Sequence, residues 1–210
     1  MTAIWGPLGW MTLHSTAFAY SENPTASEKQ LMSSWLDMFR DTITCPSCKG
    51  HFTTLLANYR VQFPNMLANR HEFIMFTFRA HNAVNKRLNK PVFSSVESSL
   101  STLKHNVATR SARDYRNAYL AHITRHWKIF QDISGIVALK KLQEMRRIEL
   151  EYVSPRDLNF AITVREDIVV LPQSVMERDT EAPQQRPIFL GNAKASAGFR
   201  ITSSGLRLRR

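Results

Sequence analysis

Cysteine, glycine and acidic residues are all scarce in this chain, and each scarcity narrows what it can be. Only two cysteines occur in 210 residues, Cys45 and Cys48. Zinc takes four protein ligands in a structural site, so Cys45, Cys48 and His51 leave the tetrahedron one short and no second cysteine pair completes it. Lys49 stands where c-type haem attachment requires histidine. The seven glycines never gather into a phosphate-cradling loop, and strand–helix alternation is missing, which argues against a dinucleotide fold of the Rossmann type. No uninterrupted apolar run approaches the roughly 20 residues of a membrane-spanning helix. Met1-Thr2-Ala3-Ile4-Trp5 shows neither a basic leader before an apolar stretch nor an Arg-rich amphipathic pattern, so the expected compartment is cytoplasmic. There are 17 acidic residues against 28 basic ones, for a formal net charge of +11. Nine of those bases and five of those acids fall in the first 93 residues, so the remainder carries +7 of the +11. That balance suits nucleic acid, an anionic surface or an acidic partner.

The two cysteines are separated by two residues in Thr44-Cys45-Pro46-Ser47-Cys48-Lys49-Gly50-His51-Phe52. Closing so short a loop stabilises a fold by only about 2 kcal/mol, against about 4.7 for a loop of roughly 100 residues. A redox couple is the better use, because neighbouring thiols pass between dithiol and disulfide without moving the backbone. Pro46 suits a first helical turn and Thr44 suits its N-cap, so the pattern predicts a helix from about Cys45 to Tyr59. Both sulfurs then lie where free N–H groups and the helix dipole favour thiolate, with Lys49 adding positive charge. A pair of inert buried thiols is the plainer alternative.

Elsewhere the spacing is helical. Pro7 reads as the start of a helix in which Leu13, Ala17 and Tyr20 share one side and Trp10, His14 and Phe18 another. Two aromatic sides usually mean core packing, yet a histidine between such rings also suits a flat aromatic ligand. Ser21–Thr25 links to a helix from about Ala26 to Asp41, with Leu31, Trp35, Met38 and Phe39 apolar. From Arg70 to about Asn89, Phe73, Phe76, Ala80, Val84 and Leu88 mark a core side. A polar side carries His81, Asn82, Asn85, Lys86 and Asn89. It reads either as a solvated surface or as a nucleotide contact, with a ring for the base and donors for phosphate.

Taken together, Trp5-Gly6-x3-Trp10-x2-Leu13-His14, Cys45-x2-Cys48-x3-Phe52 and His81-Asn82-x-Val84-Asn85-x2-Leu88-x-Lys90-Pro91-x-Phe93 resemble the Erv/ALR family of FAD-linked sulfhydryl oxidases over residues 4–93. The resemblance implies an all-α fold, a four-helix bundle with a short fifth helix, usually a homodimer, holding FAD beside the CxxC. It implies that Cys48 is the flavin-proximal sulfur and Cys45 the one that meets the incoming dithiol. It implies that Trp5, Trp10 and His14 line the isoalloxazine, with Tyr20 at the end of that helix. His81, Asn82 and Asn85 would contact the adenosine half, and Lys86 and Lys90 phosphate or ribose. Protein dithiols, or a separate relay thiol protein, are then the electron donors and O₂ the acceptor, giving hydrogen peroxide.

Two departures stand out. Cysteines of a further family disulfide would fall at Phe78 and Ser95, and Ser98 and Thr102 occupy a region where tryptophans often follow. A distal shuttle pair is also missing. That economy is similar to oxidases of large cytoplasmic DNA viruses, implying work in a viral factory or virion. Beyond residue 93, Ser94–Asn106 reads as a linker or short helix and Arg113 to about Tyr152 as mostly helical. Tyr115, Tyr119, Ile123, Trp127 and Phe130 form one stripe there, followed by Ile136, Leu139, Leu142 and Ile148. His122 and His126 lie one turn apart without an evident third metal ligand. Ile162–Val164 and Ile168–Leu171 suit short strands, and the chain past Pro172 suits an extended arm with an anionic or capsid partner. The expected organisation is an oxidase domain over 1–93, a helical extension over 94–153 and a basic arm over 154–210. Rival readings are an oxidase-derived assembly protein, a CPxC isomerase or reductase, for which the thioredoxin βαβ pattern is missing, and a zinc module.

Overall fold

A computed structural model of the chain describes residues 2–126 and 134–160. Residues Met1–Thr180 group as one unit and Glu181–Arg210 as a second, which lies wholly outside the described residues. Seven α-helices and no strand occur among the described residues: α1 (Thr2–Ala19), α2 (Ala26–Asp41), α3 (Pro46–Gln62), α4 (Arg70–Arg87), α5 (Val96–Thr109), α6 (Ala112–His126) and α7 (Gly135–Ile148). A single π-helical turn, Glu149–Val153, closes α7. The proposed strands at 162–164 and 168–171, Trp127 and Phe130, and nearly all of the arm lie outside the described residues.

Local chemistry accounts for most boundaries. Thr25 Oγ1 accepts from Glu28 N–H (3.2 Å) while Glu28 Oε2 accepts from Thr25 N–H (2.8 Å), a reciprocal capping box that starts α2. Pro7 does not start α1, as the sequence suggests, but stands inside it. There the ring forfeits the bond back to the carbonyl of Ala3 and crowds that carbonyl, a cost confined to the first two turns of α1. The cap of α3 is Cys45 rather than Thr44: Cys45 Sγ accepts from Cys48 N–H at 3.3 Å. Of the two readings of 94–106, linker or short helix, the helix is the one found. Ser95 Oγ accepts from Ser98 N–H (3.2 Å), and Val96, Leu100 and Leu103 bury one side of a 14-residue helix.

The carboxyl end of α4 turns by a Schellman motif. Lys90 N–H bonds to Asn85 O (2.8 Å), Asn89 N–H bonds to Lys86 O (3.1 Å), and Asn89 sits at φ 52°. Asparagine is among the few residues that take the left-handed conformation readily. The turn sends Lys90-Pro91 back across the end of the helix.

The core runs through Leu13, Phe18, Met32, Leu36, Leu56, Tyr59, Phe73 and Phe76, all essentially sealed. α1 packs against α4 on one side and α6 on another, while α7 lies against α2. Tyr119 of α6 stacks on Phe39 of α2 (ring centroids 5.4 Å apart). Arg116 Nε donates to both carboxylate oxygens of Glu149 (2.9 and 2.8 Å), where the π turn meets α6. Ion pairs Lys141–Asp41 and Arg156–Glu28 fasten the extension to α2. Of the stripe read on the last helices, Leu142 and Ile148 are buried, but Ile136 and Leu139 are exposed.

Candidate active site

α1, α3, α4 and α5 enclose a cavity of about 810 Å³, within the roughly 300–1,000 Å³ range of small-molecule and cofactor sites. Its wall is largely aromatic and apolar. Trp5, Trp10, His14, Cys48, His81, Asn85 and Lys90 all line it, so seven of the residues singled out from sequence converge on one space.

The sulfur-bearing wall is the first turn of α3. Cys45 and Cys48 form a disulfide. Cys48 lines the cavity, whereas Cys45 stands outside the lining, half-buried, with Ser47 Oγ 3.4 Å from its sulfur. One sulfur thus meets the cavity and the other meets solvent.

The histidine-bearing wall joins α1 to α4. His14 Nδ1 lies 3.0 Å from Thr77 Oγ1, and His14 Nε2 lies 3.0 Å from His81 Nδ1. Trp10 stacks on His81 almost in parallel, with centroids 4.1 Å apart and planes at 7°. Burial and the neighbouring His81 hold His14 well below the usual imidazole range. Burial, then the charge of Lys90, pushes His81 down to about 4. Both rings are therefore neutral near pH 7.

Four residues singled out from the sequence fall outside this lining. Asn82 is buried, and its amide donates to Phe93 O (2.8 Å) and accepts from Phe93 N–H (2.9 Å), pinning the segment after α4. Tyr20 is buried and donates to Leu67 O at 3.1 Å, tying the end of α1 to the loop before α4. Lys86 is exposed beyond the rim, and Cys45 is the outward sulfur. The polar side of α4 is divided: Asn82 and Asn85 are buried, His81 is half-buried, and Lys86 and Asn89 are exposed. Where the family pattern places a second disulfide, Phe78 packs its ring on His14 (5.0 Å) and Ser95 caps α5.

Sequence reasoning passed over several lining residues. Arg87 reads as an ordinary helix-end charge, and Ser99, Thr102 and Asn106 lie on α5, whose sequence leaves a linker and a short helix both open. Thr77, one turn before His81, reads as core. Among the described residues, neither Arg87 nor Lys90 pairs with a carboxylate, and they supply positive charge to the cavity wall. His122 and His126 stack at 4.3 Å, and His126 Nδ1 donates to the carbonyl of His122 (2.8 Å). No helix among the described residues is long and apolar enough to cross a membrane.

The wall is suited to a flavin nucleotide. Trp5 Nε1–H and Ser99 Oγ are buried with no hydrogen-bond partner among the described residues, and both residues line the cavity. A buried unpaired donor costs about 1–3 kcal/mol, which a bound polar ligand relieves.

A helical bundle with a CxxC disulfide set into the wall of an aromatic cavity belongs to the class of helical thiol–disulfide oxidoreductases. The model of the Erv1 / Alr family matches residues 8–107. An FAD-linked sulfhydryl oxidase of African swine fever virus (isolate Tick/Malawi/Lil 20-1/1983) is 38% identical over 90 residues, spanning 43% of this chain and 72% of that protein. The mitochondrial FAD-linked sulfhydryl oxidase of Saccharomyces cerevisiae is 33% identical over 88 residues, and an Arabidopsis thaliana FAD-linked sulfhydryl oxidase 30% over 88, each covering 42% of this chain and 44% of the relative. The chain belongs to the Erv1 / Alr family.

Proposed function

We propose that this chain is an FAD-dependent thiol oxidase that forms disulfides in protein dithiols and delivers the electrons to O₂ as hydrogen peroxide. The observation that carries the reading is the split pair: Cys48 in the wall of a flavin-sized aromatic cavity, Cys45 turned outward beside it.

A substrate thiolate attacks Cys45 Sγ, the Cys45–Cys48 bond breaks, and Cys48 leaves as thiolate in the first turn of α3. Free N–H groups there stabilise the anion. A second substrate thiolate then displaces Cys45, which takes a proton, and the substrate departs as a disulfide. The two electrons now reside in the Cys45/Cys48 dithiol. Bound FAD supplies the two-electron acceptor beside Cys48 and the route onward to O₂. Trp5, Trp10 and His14 provide the flat wall for the isoalloxazine, His81 and Asn85 the polar contacts for the adenosine half, and Arg87 and Lys90 charge for the phosphates. Tyr20 and Asn82 hold the frame without touching the ligand.

The match over 8–107 supports ending the oxidase domain after α5, with α6, α7 and the π turn as the extension and the basic arm following. A homodimer, a relay thiol protein, and a virion or anionic partner for the arm belong to the same reading. Its support is the family likeness, the viral relatives and the +7 beyond residue 93. The second reading, an assembly protein on an inherited bundle, is favoured only by that charge. A visible spectrum of the purified full chain with oxygen uptake on dithiothreitol decides between them. A flavin band and uptake support the oxidase; colourless protein that takes up no FAD and consumes no oxygen overturns it.

A further inference from the structure

We propose that Thr77 is a positioning residue: through His14 it fixes the tautomer of His81, so that His81 presents a bare Nε2 to the cavity and accepts a hydrogen bond from the bound ligand. The identity of that ligand as FAD rests on the reading above; the proton arrangement does not.

The inference follows from counting protons along one chain of atoms. Thr77 Oγ1 lies 2.8 Å from the carbonyl of Ile74 and 3.0 Å from His14 Nδ1. A hydroxyl has one proton, and a carbonyl can only accept. If that proton were aimed at His14, two oxygen lone pairs would face each other across 2.8 Å. Thr77 therefore donates to Ile74 and accepts from His14 Nδ1–H. Sealed in the core, His14 carries a single ring proton, which leaves its Nε2 bare. The 3.0 Å contact to His81 Nδ1 then needs its proton from His81. His81 has spent its proton inward, and its Nε2 is a lone pair without a partner among the described residues.

Its setting gives that lone pair a use. His81 lines the cavity, its plane is held by the stack on Trp10, and its Nε2 is not among the buried polar atoms sealed away from solvent. A phosphate oxygen placed there meets lone pair against lone pair, whereas an amino, ring N–H or ribose hydroxyl donor is accepted. The same cavity holds positive charge at Arg87 and Lys90, which suits phosphates.

The test reads proton positions directly. A two-bond ¹H–¹⁵N spectrum of the ¹⁵N-labelled full chain separates protonated from bare ring nitrogens, and FAD affinity is measured alongside by flavin fluorescence. Expected are Nδ1–H for both His14 and His81 in the wild type. In Thr77→Val, mixed tautomers and FAD affinity weakened on the order of 10-fold are expected, the scale of one lost hydrogen bond, with Thr77→Ser restoring both. The proposal is overturned if either wild-type histidine carries its proton on Nε2, or if Thr77→Val weakens FAD with the tautomers unchanged. Should the valine variant fail to fold, the wild-type spectrum still decides. A wild type with the expected tautomers but no FAD binding removes the flavin reading and leaves the relay standing.

Discussion

At the sulfur-bearing wall the working groups sit on the first turn of one helix, close to solvent. At the histidine-bearing wall they are buried between two helices and held by a third residue. Cys45 is half-open, so an incoming thiol can reach the disulfide from outside the cavity. His14 is sealed, His81 is half-buried at the cavity wall, and burial keeps both rings neutral. The contrast teaches that exposure, more than residue type, assigns each wall its task. His122 and His126 offer the contrast on α6: both are half-buried, and His126 bonds to the carbonyl of His122 rather than to another helix.

The largest effect should come from the sulfur wall. Cys48→Ala is expected to cut oxygen uptake on dithiothreitol by 10³-fold or more, on the order seen when a nucleophilic group is removed. The visible band of bound flavin should remain, and surviving turnover would break the division of labour between the sulfurs.

The histidine wall should answer to pH instead. His81 has its folded value lowered from 6.5 to about 4, so between those values the unfolded chain binds the proton more readily. Stability is then fully present above pH 6.5 and declines as pH falls toward 4, by about 3 kcal/mol from this group alone. Urea midpoints at pH 7 and 4.5, repeated on His81→Asn to remove the contribution, check the sign; a flat profile in the wild type contradicts it.

Asn82→Ala removes both bonds to Phe93 and leaves two part-buried backbone groups unpaired, a loss of about 2 kcal/mol readable as a lower urea midpoint. If Asn82 instead touched the ligand directly, flavin affinity would fall with stability unchanged. The smallest effect belongs to Ser47→Ala. In the reduced protein its hydroxyl is placed to donate to the Cys45 thiolate, and its loss should slow iodoacetamide alkylation at pH 7 by no more than about 3-fold, because the contact is exposed.

Much of this was legible beforehand where one residue's chemistry decides the outcome. The Ser21–Thr25 link located the start of α2, and the motifs that carry the family resemblance placed Trp10, His14, Cys48 and His81 on one cavity. The misses have a common cause. Pro7 as a helix start and Thr44 as a cap were inferred from local propensity, yet neighbouring structure extended α1 upstream and gave the cap to a sulfur. Serines thinned the apolar pattern of α5 and left linker and short helix undecided, so Ser99, Thr102 and Asn106, which complete the wall, went unremarked as site residues. Thr77 was invisible because a buried hydroxyl one turn from a histidine looks like any core threonine until its partner on α1 is in place. Asn82 was assigned to the ligand because a motif records that an amide is required, not what it holds.

That amide does for the segment after α4 what a neighbouring β-strand would do, offering one donor and one acceptor in register with a single peptide. The rim beside the cavity is thereby ordered before any cofactor arrives. The entropy of freezing it is met during folding rather than during capture, so the empty protein should already be a shaped receptor, able to take up its nucleotide without a slow rearrangement.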